Sequence, residues 1–381
     1  MRNRFRSRPG FALAVALAAI VIIGAIITGM FFTTTQEYRI SRNSAMQARA
    51  LTAAEYGMNY IMQSGQWVSS WNTASNGLLA TVAYSPGDGS VDTVRVTKLN
   101  AGQFLVTSTG RNGVVSGGQA MHRIGGLVTL AIPQINILGA LTTRGQAKIG
   151  GSSFLSGVDS TIANWSCPPA GAALAGLVVP DTTKVTTAGC GGYSCLDGTP
   201  KLQQNPIAAK DSTYFNYGPG LDWATLVAMA NKTIGSGTTL NNMAPSAVLG
   251  VCNTADPLNW GDPLHLTPAV ASCQTYFPIV YAQGNLHMTG GVGQGILLVE
   301  GDLQITGGAV FYGPVIVKGS VSTSGTGGHI YGGVMAADVD LSQNSVLGNG
   351  VVQYSGCAVS RALAGIATPT FAVGRSWAEL Y

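Results

Sequence analysis

The sequence predicts an α+β protein: a long N-terminal transmembrane and amphipathic helix, a small antiparallel sheet, and then a mainly-β domain. Three observations support this prediction. Residues 11–32 contain no charged side chain, residues 78–133 alternate β-rich runs with turn sequences, and a short segment recurs about every 18 residues after residue 280. The recurrence predicts a parallel β-helix, which is a solenoid of stacked coils, and a large insertion interrupts it.

The composition limits the possible functions. Only 9% of the 381 residues are charged and 52 are glycine, whereas soluble domains contain roughly 25% charged residues. The 13 Tyr, 10 Phe and 6 Trp argue against disorder. The net charge of +4 comes from Arg2, Arg4, Arg6 and Arg8, and the rest of the chain is balanced. The chain therefore lacks the basic patch of a nucleic-acid-binding protein, and no nucleic acid is expected as a partner.

The uncharged run 11–32 predicts a membrane span. As a helix it would be about 33 Å long, enough to cross a hydrocarbon core of about 30 Å. The four arginines of residues 1–10 would keep that end in the cytoplasm and place the C-terminal region outside it. A secretory signal peptide is disfavoured because the run is long and residues 31–37 offer no small-x-small cleavage site. A plain membrane anchor stays open.

The span is followed by an amphipathic segment. Residues 36–64 contain no proline, and their apolar side chains mostly recur at intervals of three or four. This pattern predicts one continuous helix from the membrane span to about residue 64, with Gly65 as its C-cap.

The N-terminal motifs resemble those of a known family. Gly10 ends a basic leader, Phe11 begins the apolar half-helix, and the segment QEYRISRNSAMQARALTAAEYGMNY (36–60) follows. This arrangement resembles type IV prepilins and, more narrowly, PilX-like minor pilins, over about the first 64 residues. The positions that carry the narrower resemblance are Gln36, Glu37, Asn43, Ala53, Ala54 and Glu55.

The resemblance implies a processing route and partners. A prepilin peptidase would cleave after Gly10, and Phe11 would be N-methylated. The chain would reside in the bacterial inner membrane before joining other pilins and minor pilins in a surface fibre, and a surface or a glycan is a candidate ligand. Most pilins carry Glu at the fifth mature position, where this chain has Val15. That departure favours a scarce initiating or tip subunit over a bulk subunit. A pilus is preferred to a secretion pseudopilus, and the sequence does not discriminate further between them.

Turn, strand and repeat patterns in the sequence divide the rest of the chain into segments. Residues 65–134 predict a pilin-like β region with hairpins, and 135–165 predict the first β-helix coil. Within 281–352, four segments share one phase: GNLHMTG (284–290), GDLQITG (301–307), GSVSTSG (319–325) and ADVDLSQ (337–343). Glycine would form the corners of these coils. Residues 166–280 are interpreted as a cysteine-containing insertion that packs on or caps the solenoid, and 353–381 as a C-terminal tail.

The cysteines predict disulfides, since the topology places them outside the cytoplasm. Two local pairs are open possibilities, Cys190 with Cys195 and Cys252 with Cys273, among the 15 connectivities that six cysteines allow. The six are Cys167, Cys190, Cys195, Cys252, Cys273 and Cys357. Zinc is disfavoured because no C-x-x-C pair exists and the histidines are scattered.

No catalytic residue, metal or cofactor is predicted. The glycine-rich segment 289–295 lacks the Lys-Ser/Thr of a phosphate-binding loop. Asp302 and Asp338 share one phase two coils apart, which leaves open a membrane-anchored protein that binds or cuts polysaccharide. The preferred interpretation is a non-enzymatic minor pilin-like component that acts in fibre assembly, initiation and surface display, with adhesion as a further role.

Overall fold

The computed structural model contains four α-helices and several 3-10 helices within the described residues, which cover most of the chain. The described residues are 9–63, 66–85, 87, 89–100, 102–114, 118–145, 147–150, 152–209, 216–218, 221–323, 325–336, 345–346, 350–372 and 377–380. The α-helices are α1 (Pro9–Ile61), α2 (Ser70–Thr73), α3 (Trp223–Ala228) and α4 (Gly356–Gly365). The 3-10 helices span Thr182–Lys184, Gly191–Tyr193, Pro206–Ala209 and Pro268–Thr275.

The strands fall into antiparallel and parallel sheets. In the first half of the chain they are β1 (Gly77–Tyr84), β2 (Val91–Asn100), β3 (Gln103–Val114), β4 (Gly118–Ala131), β5 (Gly139–Thr143), β6 (Ala147–Gly150), β7 (Phe154–Ser156), β8 (Ala175–Val179), β9 (Val185–Ala188), β10 (Leu196–Asp197), β11 (Leu202–Gln204), β12 (Asn216–Gly218) and β13 (Leu221–Asp222). In the second half they are β14 (Lys232–Ile234), β15 (Thr238–Leu240), β16 (Ala247–Val248), β17 (Val251–Cys252), β18 (Ile279–Ala282), β19 (Leu286–Met288), β20 (Val292–Gln294), β21 (Ile296–Val299), β22 (Leu303–Ile305), β23 (Ala309–Val317), β24 (Val321–Thr323), β25 (Gly328–Ala336), β26 (Ser345–Val346), β27 (Val351–Tyr354), β28 (Thr368–Phe371) and β29 (Trp377–Glu379).

The antiparallel sheet packs on the C-terminal part of α1. Its order is β1-β2-β3-β4-β28, and β29 also pairs with β4. Alternate residues of β2 and β3 face the helix, so Val94, Val96, Phe104 and Val106 are buried there against Met58 and its neighbours on α1. The last two strands come from the C-terminal end of the chain, which therefore returns to this sheet after leaving it at residue 131.

The predicted repeats form consecutive strands of two parallel sheets. β19, β22 and β24 pair in the register Leu286↔Leu303↔Val321, while β21, β23 and β25 pair through Leu297↔Val315↔Val334. The chain thus alternates between the sheets and advances by one strand at each pass. The side chains that face inward are apolar and form one continuous core.

The order of the coils in space differs from their order in the sequence. β5 pairs with β25 on one side and with β8 on the other, and β6 lies between β26 and β9. The first coil of the chain, 139–156, therefore lies inside the stack. The chain continues outward through β8 to β11, crosses to the opposite end at β14, and returns coil by coil until β25 and β26 meet the first coil.

A column of glycines forms one corner of the stack. Gly295, Gly313 and Gly332 have φ values of 119°, 136° and 150°, and they lie one above another. A Cβ on Gly313 would overlap the carbonyl oxygen of Gly295. Glycine is required here because other residues would meet both backbone strain and overlap with the preceding coil.

A second core covers the outside of the parallel sheets. Ile279, Ile296, Leu298 and Ile316 point outward but are buried under α3, α4 and the segment around Trp165. Strand β21 is consequently buried on both faces, which explains why its sequence, ILLV, does not alternate.

The α+β class is confirmed: one long apolar helix is joined to a mostly β region with antiparallel and parallel sheets. The segments 284–290, 301–307 and 319–325 contain β19, β22 and β24. The fourth segment, 337–343, lies outside the described residues. The strand that pairs with β24 is β26, five residues later than an 18-residue repeat places it.

The segment interpreted as an insertion also contributes coils. Within 166–280, strands β8 to β11 and β14 to β15 belong to the same two parallel sheets, while β12–β13 and β16–β17 form separate hairpins. The segment interpreted as a tail, 353–381, forms α4 and the two strands that return to the antiparallel sheet. Strands β8 to β11, β14 and β15 lack a repeat signature because long connections interrupt their coils.

Candidate functional site: the N-terminal helix and its junction with the β domain

The N-terminal part of α1 is an unpartnered apolar surface. Among the described residues, Phe11–Ile61 is the one helix long and apolar enough to cross a membrane, and no residue of its most apolar stretch is buried. Phe11 is 76% exposed and Val15 is 52% exposed. Arg2, Arg4, Arg6 and Arg8 lie outside the described residues, and Gly10 lies within the first turn of the helix.

The C-terminal part of α1 is held tightly on the sheet by small residues. Ala50, Ala53 and Ala54 are buried, and a Cβ on Gly110 of β3 would overlap the Ala50 carbonyl oxygen. On the helix, a Cβ on Gly57 would overlap the carboxyl group of Asp92. Helix and sheet therefore meet at backbone distance, and the helix direction is fixed by this contact.

The residues that carry the family resemblance are divided between two environments. Gln36, Glu37 and Asn43 are exposed on the part of α1 that makes no contact with the sheet. Ala53 and Ala54 are buried in the helix–sheet contact, and Glu55 is half-buried beside them. The alanine pair thus has a packing role within this chain, while the three polar residues are available to other molecules.

The six cysteines form three disulfides. Both local pairs that the sequence left open are present, Cys190–Cys195 and Cys252–Cys273. The third, Cys167–Cys357, joins residues 190 positions apart and fastens the segment after Trp165 to the first turn of α4. Each bond restrains a segment that has little regular structure of its own.

Asn72 on α2 is the centre of the junction between the antiparallel sheet and the β domain. Its side-chain amide donates to the carbonyl oxygens of Ala364 and Ala367 at 2.8 and 3.1 Å, and its Oδ1 accepts a hydrogen bond from Trp67. The Lys98 ammonium donates to the Asn72 carbonyl oxygen at 2.8 Å. This junction was not predicted from the sequence, because the contacts of Asn72 with Ala364 and Ala367 join residues 292 and 295 positions apart and leave no local signal.

The carboxylates considered for polysaccharide chemistry are not brought together within the described residues. Asp302 Oδ1 accepts a hydrogen bond from the Ser320 backbone N–H at 2.8 Å, which links two successive coils at a corner. Asp338 lies outside the described residues. Within the described part of the chain no cluster of His, Cys, Asp or Glu could hold a metal ion.

The comparisons with known proteins give similarity to solved structures. No family model and no curated protein matches the chain. Among solved structures, it is similar to the competence-associated pilin ComZ from Thermus thermophilus, with 12% identity and a TM-score of 0.25, over 88% of this chain and 97% of that one. That TM-score is below the level at which two chains share a fold, so the similarity does not establish a common architecture.

Proposed function

We propose that this chain is a minor pilin-like subunit, placed first in the bacterial inner membrane and then in a type IV pilus or a related pseudopilus. The observation that carries the proposal is the division of α1. One uninterrupted helix exposes an apolar N-terminal part and packs its C-terminal part on a sheet. Exposed apolar surface of this extent requires lipid or other helices around it.

The proposed processing follows from the same helix. Cleavage after Gly10 would remove Arg2, Arg4, Arg6 and Arg8. The N-methylated Phe11 would then begin a helix that lacks these four positive charges. Such a helix can leave the bilayer and pack against other pilin helices. Val15 supports a scarce initiating or tip position, because the valine supplies no carboxylate to pair with the terminal amine of a neighbouring subunit.

The β domain would be the displayed part of the subunit. We propose that its stacked coils form a parallel β-helix located outside the cytoplasm, where the three disulfides are stable. The glycine column at one corner and the repeated strand registers support this architecture. The chain acts by assembly and display, and no residue is assigned a catalytic role.

The decisive experiment is mass spectrometry of the mature N-terminus from a host with a prepilin peptidase. We expect the wild-type chain to begin at N-methylated Phe11, and Gly10→Leu to retain Met1. Gly24→Leu is the matched control, because Gly24 lies in the same helix with no atom near its Cβ position, and it should be processed normally. A wild-type chain that keeps its leader, or that is absent from sheared surface filaments, would refute the proposal.

A further inference from the structure

A groove of about 810 Å³ lies where the antiparallel sheet meets the β domain. Its walls come from the segment 72–76 and Lys98 on one side, and from the segments around Asn164, Gln274 and Arg361 on the other. A volume of this size accommodates a small ligand of several rings. The groove is distinct from the exposed part of α1 on which the proposed assembly function depends.

The groove contains two positive charges and no acidic side chain. Lys98 donates to the carbonyl oxygens of Asn72 and Ala74, and Arg361 donates to the Ser166 carbonyl oxygen at 3.2 Å. The Arg361 guanidinium also lies over the Trp165 ring, 5.3 Å from its centre. Within the described part of the chain, no carboxylate lies within 4 Å of either charge.

The two charges destabilise each other. Burial lowers the pKa of Lys98, and the nearby Arg361 lowers it further. Burial also lowers the pKa of Arg361, and no acidic neighbour opposes that effect. Two partly buried cations without a counter-charge cost folding free energy, and a bound anion would recover it.

The other lining side chains are mainly amides and hydroxyls. Exposed examples are Ser75, Asn76 and Ser166, which form no side-chain hydrogen bonds within the described residues. Ile132 is the one large aliphatic side chain among the lining residues. A protein segment would need apolar anchors, whereas an acidic sugar can be bound by neutral hydrogen-bonding groups around a fixed positive charge.

We propose that this groove binds a short acidic oligosaccharide, with the sugar carboxylate held by Arg361 and Lys98 and its hydroxyls by the surrounding amide and hydroxyl groups. Arg361 presents a planar guanidinium that can bind a carboxylate through two parallel hydrogen bonds. Trp165 beneath it and Ser166 beside it restrict its rotation, so the charge is positioned before the ligand arrives.

The test is calorimetric titration of the full-length chain in detergent with tri-galacturonate, its methyl ester and a tetra-glutamate peptide. We expect tri-galacturonate to bind, the uncharged ester to bind at least about tenfold more weakly, and added salt to weaken binding. Equal affinity for the ester, no binding of tri-galacturonate at millimolar concentration, or tighter binding of the peptide would overturn the inference.

Two variants and one control locate the site. Arg361→Gln removes one charge, and Asn76→Asp adds a carboxylate at an exposed position inside the groove. Each should lower the affinity at least about tenfold. Arg95→Gln is the matched control, since Arg95 is exposed on the antiparallel sheet outside this groove. Because Asn76 is exposed, Asn76→Asp tests the site even if Arg361→Gln fails to fold. Wild-type affinity in Asn76→Asp would refute the assignment.

The outcome is separable from that of the proposed assembly function. Arg361 and Asn76 lie outside α1, so both variants should still be processed at Gly10 and incorporated into filaments. Loss of binding with normal processing concerns the groove alone, and failed processing of the wild-type chain concerns the pilin proposal alone.

Discussion

Asp92 on β2 and Ser108 on β3 share a 2.7 Å hydrogen bond beneath α1, and the same Ser108 hydroxyl lies 2.6 Å from the Ala54 carbonyl oxygen. A hydroxyl has one proton and cannot donate fully to both acceptors. Burial raises the pKa of Asp92, although hydrogen bonds to its carboxylate partly oppose this. The neutral form resolves the conflict, because a protonated Asp92 can donate to Ser108 while Ser108 donates to Ala54.

The first prediction concerns pH. Because the pKa of Asp92 is higher in the folded chain than in the unfolded one, its stabilising contribution is complete below the unfolded value of about 3.9. It is lost as the pH rises through the folded pKa. The melting temperature of Asp92→Asn minus that of wild type should therefore be larger at pH 7.5 than at pH 4. A difference between the two melting temperatures that does not change with pH would contradict this account.

The second prediction concerns Gly57, which allows α1 to lie directly on the Asp92 carboxyl group. Gly57→Ala should lower the free energy of unfolding by about 1–3 kcal/mol, since the added methyl group forces the helix away from the sheet. Thermal unfolding in a single detergent would measure the effect. Gly24→Ala on the exposed part of the helix is the control, and it should not destabilise the chain. Equal melting of both variants would contradict the close contact.

The third prediction tests the glycine corner. Gly313→Ala should lower the free energy of unfolding of the β domain by about 1–3 kcal/mol or more. Its φ of 136° is unfavourable for alanine, and the added Cβ would overlap the preceding coil. Gly191→Ala, with open space around its Cβ position, should be nearly neutral. Chemical unfolding followed by tryptophan fluorescence would compare the two.

The fourth prediction concerns Asn72. Asn72→Ala should lower the free energy of unfolding by about 1–3 kcal/mol for each buried partner left without a hydrogen bond. The variant removes the donor to Ala364 and Ala367 and the acceptor for Trp67. Limited proteolysis should show faster cleavage near the junction. Asn76→Ala, four residues away and exposed, should have the stability and the cleavage rate of wild type.

The fifth prediction tests the order of the coils. Gln353 on β27 and Ser156 on β7 lie on adjacent strands and are hydrogen-bonded at 3.2 Å. Cysteines at both positions should be joined by a short thiol crosslinker. Cysteines at Ser156 and Gln304 should remain unlinked, because two coils separate their strands. A stack that followed the sequence order would not place Ser156 beside Gln353, so failure of the first crosslink would contradict the observed order.

Much of the fold could be predicted from the sequence because its signals are local. The charge-free run before Thr33 and the spacing of apolar residues to Ile61 predict α1. Turn sequences predict β1 to β4, and apolar segments bounded by glycine predict β19, β22 and β24. The local cysteine pairs were also among the open possibilities.

The junction could not be predicted in the same way. Lys98 is in phase with the buried Val94 and Val96 of β2, but this position does not reveal its partners, and Arg361 lies in a short helix far along the chain. Their proximity depends on the return of the C-terminal strands β28 and β29 to β4, for which the short segments 368–371 and 377–379 provide no pattern.

The sequence by itself determined α1, the strands β1 to β4 and the glycine-bounded strands β19, β22 and β24, because periodicity, charge and glycine act over a few residues. Only the tertiary structure decided that coil 139–156 lies between the coils of 333–354 and 175–197, that Cys167 meets Cys357, and that Lys98 faces the same groove as Arg361. The physical reason is that stacked parallel coils offer similar edges to one another, so local patterns do not specify their order, which depends on contacts between residues far apart in the chain.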